Sequence, residues 1–487
     1  MTPTPIPPGQ VQLFLDDALL AETRDLARRW HPLRKHPANP LLARSGAETQ
    51  IYLFGTVHRE PEPLAGAPPG GGSAGQPVFR MWYYAAGEGR TWIGYARSAD
   101  GLHWERPELG LFPGEPGLAA NAVFAPPGWR LIDLNGVVRD PRVQTPAAER
   151  YHVMLSADAG ERGPGGAQGK HCLPAVSPDG LHWEVRPAFR PPAPCYPDRA
   201  CFVWDPYRQV WVLYSRCRHN PPELVARGGP NYFGRAIGRG ESPDLQTWTA
   251  EWPPVMQAEV EDPDGTEIYG WSAFPCGGQW LALTQVHHSL PHQACIDLAL
   301  SHSRDGVHWQ RRSEVLLSLG EVGEWDRFNQ CASTLPLCVG DEVWVYYSGR
   351  LYRHGEYRRH PEWRPDAPRR DSGPSQVAIG LATLRLDGWC SLEAGFGGGA
   401  LLTQPVVLPE GEVWVNARAD WGKVTVEFLD EHAAPLPGIP LARPLTADGV
   451  RQRVAWDEQG RVPPLTGRPV RLRLTLENAQ VYGWGVG

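Results

Sequence analysis

The heptapeptide SADGLHW (98–104) recurs along the chain and decides its fold. Two close copies are SPDGLHW (177–183) and SRDGVHW (303–309), and two weaker ones are SPDLQTW (242–248) and RLDGW (385–389). The five copies start roughly 60 to 80 residues apart, and such internal repetition is the mark of a repeat architecture. The sequence therefore predicts five structural units of similar size.

The motif has the chemistry of a tight turn between two strands. An Asp side chain accepts hydrogen bonds from backbone N–H groups one or two residues further on, and Gly adopts the positive φ that such turns need. The Trp then returns to the sheet and packs between neighbouring units. We therefore expect the motif aspartates to be structural rather than catalytic: Asp100, Asp179, Asp244 and Asp305.

Composition indicates an all-β chain. The 487 residues include 54 Gly, 51 Pro and 21 Trp, which favours many turns and large packed rings. Aromatic and β-branched runs read as half-buried strands: FRMWYYA (79–85), VWVLYS (210–215), QWLALT (279–284) and VWVYYS (343–348). Short strands with turns and no alternating helices predict a five-bladed β-propeller over residues 1–390.

Both ends of the chain lie outside the repeat. The segment VQLFLDDALLA (11–21) is predicted to add the outer strand of blade five and so close the ring, which removes an open sheet edge. Residues 391–487 lack the turn motif and alternate apolar and polar residues, as in KVTVEFLD (423–430) and VRLRLTLE (470–477). They predict a C-terminal β-sandwich with a packing role, or alternatively one that binds glycans.

Several classes of function are disfavoured. The net charge is −7 with no basic stripe, so neither nucleic acid nor an anionic membrane is an expected partner. The nine cysteines are scattered without a Cys-x-x-Cys pair, and no leader or membrane span is evident, so we expect a cytoplasmic protein. No cofactor is expected, with room left for a structural cation in the propeller channel. His287, His288 and His292 match no standard metal-binding spacing.

Carboxylates recur where a propeller would present its chemistry. The first strand of each blade lines the central channel, and one acid per blade is predicted near the start of that strand: Glu48, Asp140, Asp198, Glu267 and Asp326. Acids crowded into one funnel repel each other and are partly desolvated, so some of their pKa values must rise. This is how an acid/base pair can be set up.

This arrangement resembles the five-bladed propeller glycoside hydrolases of families 32, 43, 62 and 68. Arg139-Asp140-Pro141 is similar to the Arg-Asp-Pro motif of those enzymes, and HPANPLL (36–42) is similar to the stretch that leads into their first blade. A C-terminal β-sandwich also follows the propeller in family 32. The resemblance implies a glycosidase acting on an oligosaccharide or glycoside, such as a fructoside or arabinoside, with Asp140 holding sugar hydroxyls.

The site motifs also depart from those families. Blade one offers Glu48 where they have Asp, and blade three offers Asp198 where they have Glu. The Asn-Asp-Pro-Asn and Glu-Cys signatures of the invertases are missing. We therefore assign roles from glycosidase chemistry, in which one carboxyl group protonates the leaving oxygen and another attacks carbon or activates water.

On this basis Glu267 is the predicted general acid, Asp140 stabilises charge, and Glu48 or Asp198 is the base or nucleophile. Asp326 could complete the set. Aromatic rings stack on sugars and polar groups bind their hydroxyls. The predicted substrate-binding residues are Arg139, Arg199, Tyr196, Tyr269, Trp271, Trp325, Asp16, Asp17, Glu261 and Asp262.

Other readings of the same fold stay open. The arginine-rich segment 350–373 is predicted to cover the funnel, where it could bind an acidic sugar or phosphate. This favours a glycoside phosphorylase resembling family 130 as the second reading. A lectin-like propeller without catalysis is the third. Sialidases rank lower, because their turn motif has one extra residue and their propellers have six blades.

Overall fold

A computed structural model of the chain describes residues 3–60, 78–160, 169–229, 232–290, 293–355, 377–456 and 465–487. Within them the only helices are α1 (Pro222–Arg227) and one 3₁₀ turn (Ala147–Glu149). Among these described residues, no helix has the length and apolar character needed to cross a bilayer. The chain begins with six short strands: β1 (Thr4–Pro5), β2 (Gln12–Leu13), β3 (Leu20–Arg24), β4 (Ala27–Trp30), β5 (Arg34–Lys35) and β6 (Leu42–Ala43).

Five antiparallel blades follow, which confirms the predicted all-β propeller. In blade one the inner edge is split in two, because β7 and β8 both pair with the same strand, β9. Its strands are β7 (Gln50–Tyr52), β8 (Val57–Glu60), β9 (Val78–Gly87), β10 (Arg90–Ser98) and β11 (Ala122–Phe124). Blade two consists of β12 (Arg130–Arg139), β13 (Tyr151–Asp158), β14 (Lys170–Ser177) and β15 (Glu184–Val185).

The remaining blades repeat this meander from the axis outward. Blade three has β16 (Cys201–Asp205), β17 (Val210–Arg218), β18 (Arg235–Ser242) and β19 (Pro254–Met256). Blade four has β20 (Thr266–Cys276), β21 (Gln279–His288), β22 (Cys295–Ser303) and β23 (Trp309–Leu317). Blade five has β24 (Asn329–Ala332), β25 (Leu337–Val339), β26 (Glu342–Arg350) and β27 (Val377–Arg385). The turn motifs follow β10, β14, β18, β22 and β27, one strand in each blade.

In blades one, two and four, the turn motif links the blade to its neighbour. Asp179 accepts the backbone N–H groups of Leu181 and His182 at 2.8 and 2.9 Å, as predicted for a turn aspartate. The carbonyl of Gly180 then accepts the Trp82 indole N–H of blade one at 2.7 Å. Equivalent bonds run from Tyr346 to Gly101 and from Tyr214 to Gly306. The repeat therefore fastens neighbouring blades as well as turning the chain.

We expect Gly180→Ala to destabilise the protein by about 2 kcal/mol, since φ is +77° there and a Cβ would lie 2.6 Å from the Trp82 ring. Gly110→Ala is the matched control, because φ is +64° but nothing lies within 4 Å of its Cβ. Its cost should be about 1 kcal/mol, from backbone strain alone. Urea unfolding of the two variants measures the difference, and equal losses would show that the contact with blade one is unimportant.

The N-terminal segment does not close the ring as predicted. Strand β2 pairs with the last strand of the chain and β3 pairs with a C-terminal strand, so both belong to the sandwich. The reason is that this segment is apolar on both faces: Leu13 packs with blade four and Phe14 with the sandwich core. The outer pairing of blade five is instead made by β5 and β6 on β27.

The C-terminal strands form two six-stranded sheets around one apolar core. They are β28 (Cys390–Ala394), β29 (Gly399–Thr403), β30 (Val406–Val407), β31 (Val413–Arg418), β32 (Lys423–Leu429), β33 (Asp448–Arg453), β34 (Pro469–Glu477) and β35 (Ala479–Val486). Strands β1 and β3 join one sheet, and β2 and β4 join the other. This confirms the predicted β-sandwich. The division into 1–390 and 391–487 stays a prediction. In the structure, the strands within residues 4–30 pair with strands of the second part.

Candidate functional site

Side chains from all five blades meet in one cluster, and only the propeller axis is close to every blade. Tyr269 on β20 is its centre. The guanidinium of Arg216 lies 4.3 Å and that of Arg199 5.9 Å from the ring centroid of Tyr269. We call this group the axial cluster: Tyr52 and Phe54 (blade one), Asp133 (blade two), Asp198, Arg199 and Arg216 (blade three), Tyr269 and Gln285 (blade four) and Arg350 (blade five).

Asp133 ties the start of blade three to the inner strand of blade two. Its carboxylate accepts the backbone N–H of Arg199 at 2.9 Å, and two residues further on Asn135 accepts the N–H of Ala200 at 3.2 Å. Arg199 adopts a φ of +49°, which is unusual for a residue with a side chain. Backbone strain of this kind is found where the surroundings hold a residue in place for its function.

The carboxyl groups of Asp133 and Asp198 interact directly and titrate as a pair. Burial raises the pKa of Asp133, and the neighbouring charge of Asp198 raises it further. Burial also raises the pKa of Asp198, but the charges of Arg216 and Lys170 outweigh it and leave that pKa below its ordinary value. The Asp198 carboxylate lies 3.0 Å from Arg216 and 3.4 Å from Lys170. Below the raised pKa of Asp133 the pair therefore shares one proton, which these charges favour on Asp133 rather than on Asp198.

Two guanidinium groups of the axial cluster lie over aromatic rings. The guanidinium of Arg199 lies 3.4 Å from the ring centroid of Phe54, and that of Arg350 lies 3.9 Å from the centroid of Tyr52. Cation–π contacts of this kind orient a guanidinium while its edge stays free to donate hydrogen bonds. The cluster thus combines ring faces, fixed cations and one protonated carboxyl group.

Glu267 lies beside the axial cluster in a chain of buried contacts. It pairs with Arg235 and accepts a hydrogen bond from His287 at 3.0 Å. Burial raises the pKa of Glu267, but the bond to His287 and the charge of Arg235 reduce it to a net value below the ordinary one. His287 packs on His354, whose Nε2 lies 3.2 Å from the Tyr269 hydroxyl. Burial lowers the pKa of His354 strongly, so this imidazole is neutral.

Asp140, predicted at the head of an inner strand, lies at the opposite end. It follows the last residue of β12, seven positions beyond Asp133, which at about 3.3 Å per residue is roughly 20 Å away. There it accepts hydrogen bonds from Arg142 and His152. Pro141 has no N–H to donate to a neighbouring strand, so β12 ends just before Asp140 instead of beginning there. The Arg-Asp-Pro match is therefore a turn in this chain, with Arg139 exposed beside it.

Two further predicted catalytic acids are held in ion pairs away from the axial cluster. Glu48 pairs with Arg106 at 2.8 Å and accepts the Tyr83 hydroxyl at 2.6 Å. Burial raises the pKa of Glu48 in spite of the Arg106 charge. Asp326 pairs with Lys35 at 2.7 Å and accepts the Tyr347 hydroxyl at 2.9 Å. These partners hold both carboxylates, and none of these bonds joins either acid to a member of the axial cluster.

The predicted binding residues divide in the same way. Arg199 and Tyr269 lie in the axial cluster, and Tyr196 lies beside it under Arg218. Trp271 is buried between Tyr214 and Trp309, and Trp325 stacks on Tyr347, so both rings are blade core. Asp16 pairs with Arg304 and Asp17 with Arg28 at the surface. Asp262 forms a largely buried pair with Arg311, and Glu261 lies on an exposed loop.

The histidine cluster and the arginine-rich segment are only partly described. His287 faces Glu267, whereas His288 faces Asp297 at 3.0 Å, so the two diverge. His292 lies outside the described residues, as do residues 356–373 of the predicted funnel-covering segment 350–373. In the part of the chain that is described, no group of three or more His, Cys, Asp or Glu side chains is placed to hold a metal ion.

Sequence reasoning missed Asp133, Arg216, Gln285 and Arg350 as members of one site. For Asp133 a signal was present: RLIDLNGVV (130–138) alternates like a strand and precedes the Arg-Asp-Pro turn. Reading it as the inner strand would have placed Asp133 beside Asp198. Arg216 and Arg350 lie on second strands of their blades, and nothing in a linear pattern shows that those side chains reach the axis.

A scan against protein-family models finds no matching family, and a search of curated proteins finds no match. Solved structures are similar over much of the chain. A glycoside hydrolase has 14% identity and a TM-score of 0.44 over 72% of this chain and 92% of its own. The β-1,2-mannobiose phosphorylase from Listeria innocua has 12% identity and a TM-score of 0.45 over 73% of this chain and 97% of its own.

A third structure extends past the propeller. The family 32 β-fructofuranosidase from Bombyx mori has 11% identity and a TM-score of 0.40, and the match covers 90% of this chain and 95% of that one. At these values the likeness does not assign an activity. The chain is similar to the propeller glycoside hydrolases and to a mannoside phosphorylase.

Proposed function

We propose that this protein is an enzyme that cleaves glycosidic bonds at the axial cluster, with Asp133 as the proton donor. The observation that carries the proposal is the carboxyl pair. Asp133 is buried and keeps its proton, while the neighbouring Asp198 is ionised by Arg216 and Lys170. Two acids whose environments separate their pKa values are the usual basis of acid catalysis near neutral pH.

The chemistry follows from glycosidase principles. The Asp133 proton passes to the glycosidic oxygen as the C–O bond breaks, and a water oxygen bonds to the sugar carbon. The water gives up a proton to the solvent and the carboxyl pair takes one back from the solvent, so that no proton is gained or lost overall. Since Asp133 and Asp198 are hydrogen-bonded to each other, they act as one acid on one side of the sugar. The group that faces the other side comes from elsewhere in the funnel.

The surroundings of the pair suit a sugar. The ring of Tyr269 is half-buried at the centre of the cluster and can stack on the apolar face of a sugar ring. Arg199 and Gln285 each have a buried donor without a partner in the described residues, and they are placed to bind hydroxyl groups beside it. A furanoside substrate stays a prediction of the family resemblance.

Turnover should fall as the pH rises through the raised pKa of Asp133. A general acid must be protonated to act, and the folded protein holds that proton to a higher pH than an ordinary aspartate does. The measurement is the pH dependence of kcat/KM between pH 4 and about 9 on any cleaved glycoside. A basic limb that is unchanged in an Asp198→Asn variant would contradict the coupled pair, because removing that charge lowers the pKa of Asp133.

The activity itself is tested with a broad panel of oligosaccharides and aryl glycosides, followed by quantification of released sugar. Release that depends on Asp133 supports the proposal. Saturable sugar binding without any release would instead support a lectin-like propeller, in which the same polar groups only hold hydroxyls. Release that is unchanged on substitution of Asp133 would mean that the reaction takes place elsewhere on the protein.

A further inference from the structure

Two arginines of the axial cluster have no carboxylate partner among the described residues. Arg216 pairs with Asp198 and Arg235 pairs with Glu267, as buried cations usually do. By contrast, no ion pair within 4.0 Å involves Arg199 or Arg350 in the described part of the chain. Arg199 is only 6% exposed, and its one side-chain hydrogen bond goes to the neutral amide of Gln285.

Further polar atoms around the same point are buried without a partner. They are Nε of Arg199, Nε2 of Gln285 and Nε2 of His287. The first two are hydrogen-bond donors, whereas Nε2 of His287 is an acceptor while Nδ1–H of the same ring donates to Glu267. Buried polar groups are almost always satisfied in native proteins, so two unmet donors on the contacting side chains of Arg199 and Gln285 indicate a missing acceptor.

The balance of charges at the site also indicates an anionic ligand. The guanidinium groups of Arg199, Arg216, Arg235 and Arg350 are permanently positive. They face the single negative charge of the Asp133–Asp198 pair and that of Glu267. Four positive charges against two negative ones leave an excess of positive charge at the axis. An unpaired buried cation is costly for folding, and an anionic ligand would offset this cost.

We propose that Arg199 and Arg350 bind an oxyanion of the ligand, beside the Asp133–Asp198 carboxyl pair. Phe54 and Tyr52 hold the two guanidinium planes, which leaves their N–H edges free to bind a carboxylate or phosphate in bidentate fashion. The oxyanion has two chemical sources: the carboxylate of an acidic sugar in the substrate, or inorganic phosphate. The inference rests on the proposed function only in taking the axial cluster to be a sugar-binding site.

The experiment is isothermal titration calorimetry of the full-length protein with glucuronate, inorganic phosphate and glucose. We expect one or both anions to bind and glucose to bind more weakly. Arg350→Gln should weaken anion binding by about tenfold to a hundredfold, the loss typical of a charge-assisted hydrogen bond. Arg350→Lys should lose less, because it keeps the charge. Arg90→Gln is the matched control, since Arg90 forms an exposed pair with Glu115 in blade one.

The two sources are separated by the probes. Binding of glucuronate alone assigns the acidic sugar. Binding of phosphate, together with sugar release that requires phosphate, assigns phosphate. The inference is overturned if neither anion binds, or if Arg350→Gln binds them as the wild type does. Binding needs no turnover, so anion binding in a protein that cleaves no glycoside would contradict only the proposed function.

Thermal unfolding of Arg350→Gln without ligand adds a readout that a structural role would not give. Because the cation has no carboxylate partner in the described residues, its removal should leave Tm unchanged or raise it. Added phosphate or glucuronate should raise the Tm of the wild type and of Arg90→Gln, but not that of Arg350→Gln. A large drop in Tm for Arg350→Gln would mean that the arginine serves to hold the blades together.

Discussion

Asp133→Asn is expected to reduce glycoside turnover by about 10²- to 10⁴-fold, the usual contribution of a general acid. Asparagine has nearly the shape of aspartic acid and can still accept the N–H of Arg199, but it has no proton to give. The loss should appear in kcat, and the sugar Kd should change little. The control is Asp140→Asn, which alters a carboxylate at the other end of the same strand. Equal losses in the two variants would contradict the assignment.

The same substitution should also change how stability depends on pH. Folding raises the pKa of Asp133 above its ordinary 3.8, so the folded state holds this proton more tightly than the unfolded state does. The resulting stabilisation is complete below the ordinary pKa and is lost as the pH rises through the raised one. Asparagine does not titrate, so Asp133→Asn should be at least as stable as the wild type at pH 8. Urea unfolding at pH 5 and 8 measures this.

Glu48→Ala is expected to destabilise the protein by about 3 to 5 kcal/mol, because it removes one partner of a buried ion pair. The Arg106 guanidinium would lose its carboxylate partner, and the Tyr83 hydroxyl would lose its acceptor. Since Glu48 has no place in the axial cluster, the folded fraction of the variant should keep the wild-type kcat. This separates a structural carboxylate from a catalytic one, although both are buried and both have raised pKa values.

Glu115→Ala is the matched control for that substitution. Glu115 also pairs with an arginine of blade one, at 2.7 Å, but its side chain is 53% exposed. An exposed pair contributes at most about 1 kcal/mol, so this variant should unfold close to the wild type. A Glu48→Ala protein as stable as Glu115→Ala, or one that folds fully yet loses turnover, would contradict the structural role of Glu48.

The fold was predictable because the turn motif is local. A serine, an aspartate and a glycine within four residues determine a turn by short-range hydrogen bonds, and these survive as sequence letters. Counting the copies then gives the number of blades. Even the degenerate copy keeps the geometry, since Leu245 takes a φ of +65° where the others have glycine.

The site was predictable only in part, because it is assembled across blades. Asp198 and Tyr269 were found because both are close to the start of an inner strand: Asp198 lies three residues before β16, and Tyr269 is the fourth residue of β20. Asp133 was missed because the start of blade two was placed seven residues too late, at the Arg-Asp-Pro turn. Glu48 and Asp326 precede strands, as the pattern requires, yet short-range sequence cannot show that Arg106 and Lys35 capture them.

The ligand is expected to bind at the Asp133 end of the inner strands. The most direct test is a crystal structure of Asp133→Asn soaked with an oligosaccharide that the wild type cleaves. We predict that the sugar lies against Tyr269, with its scissile bond next to residue 133 and its polar groups on Arg199 and Arg350. Sugar bound at the opposite mouth beside Asp140, or only on the β-sandwich, would show that the axial cluster is not the substrate site.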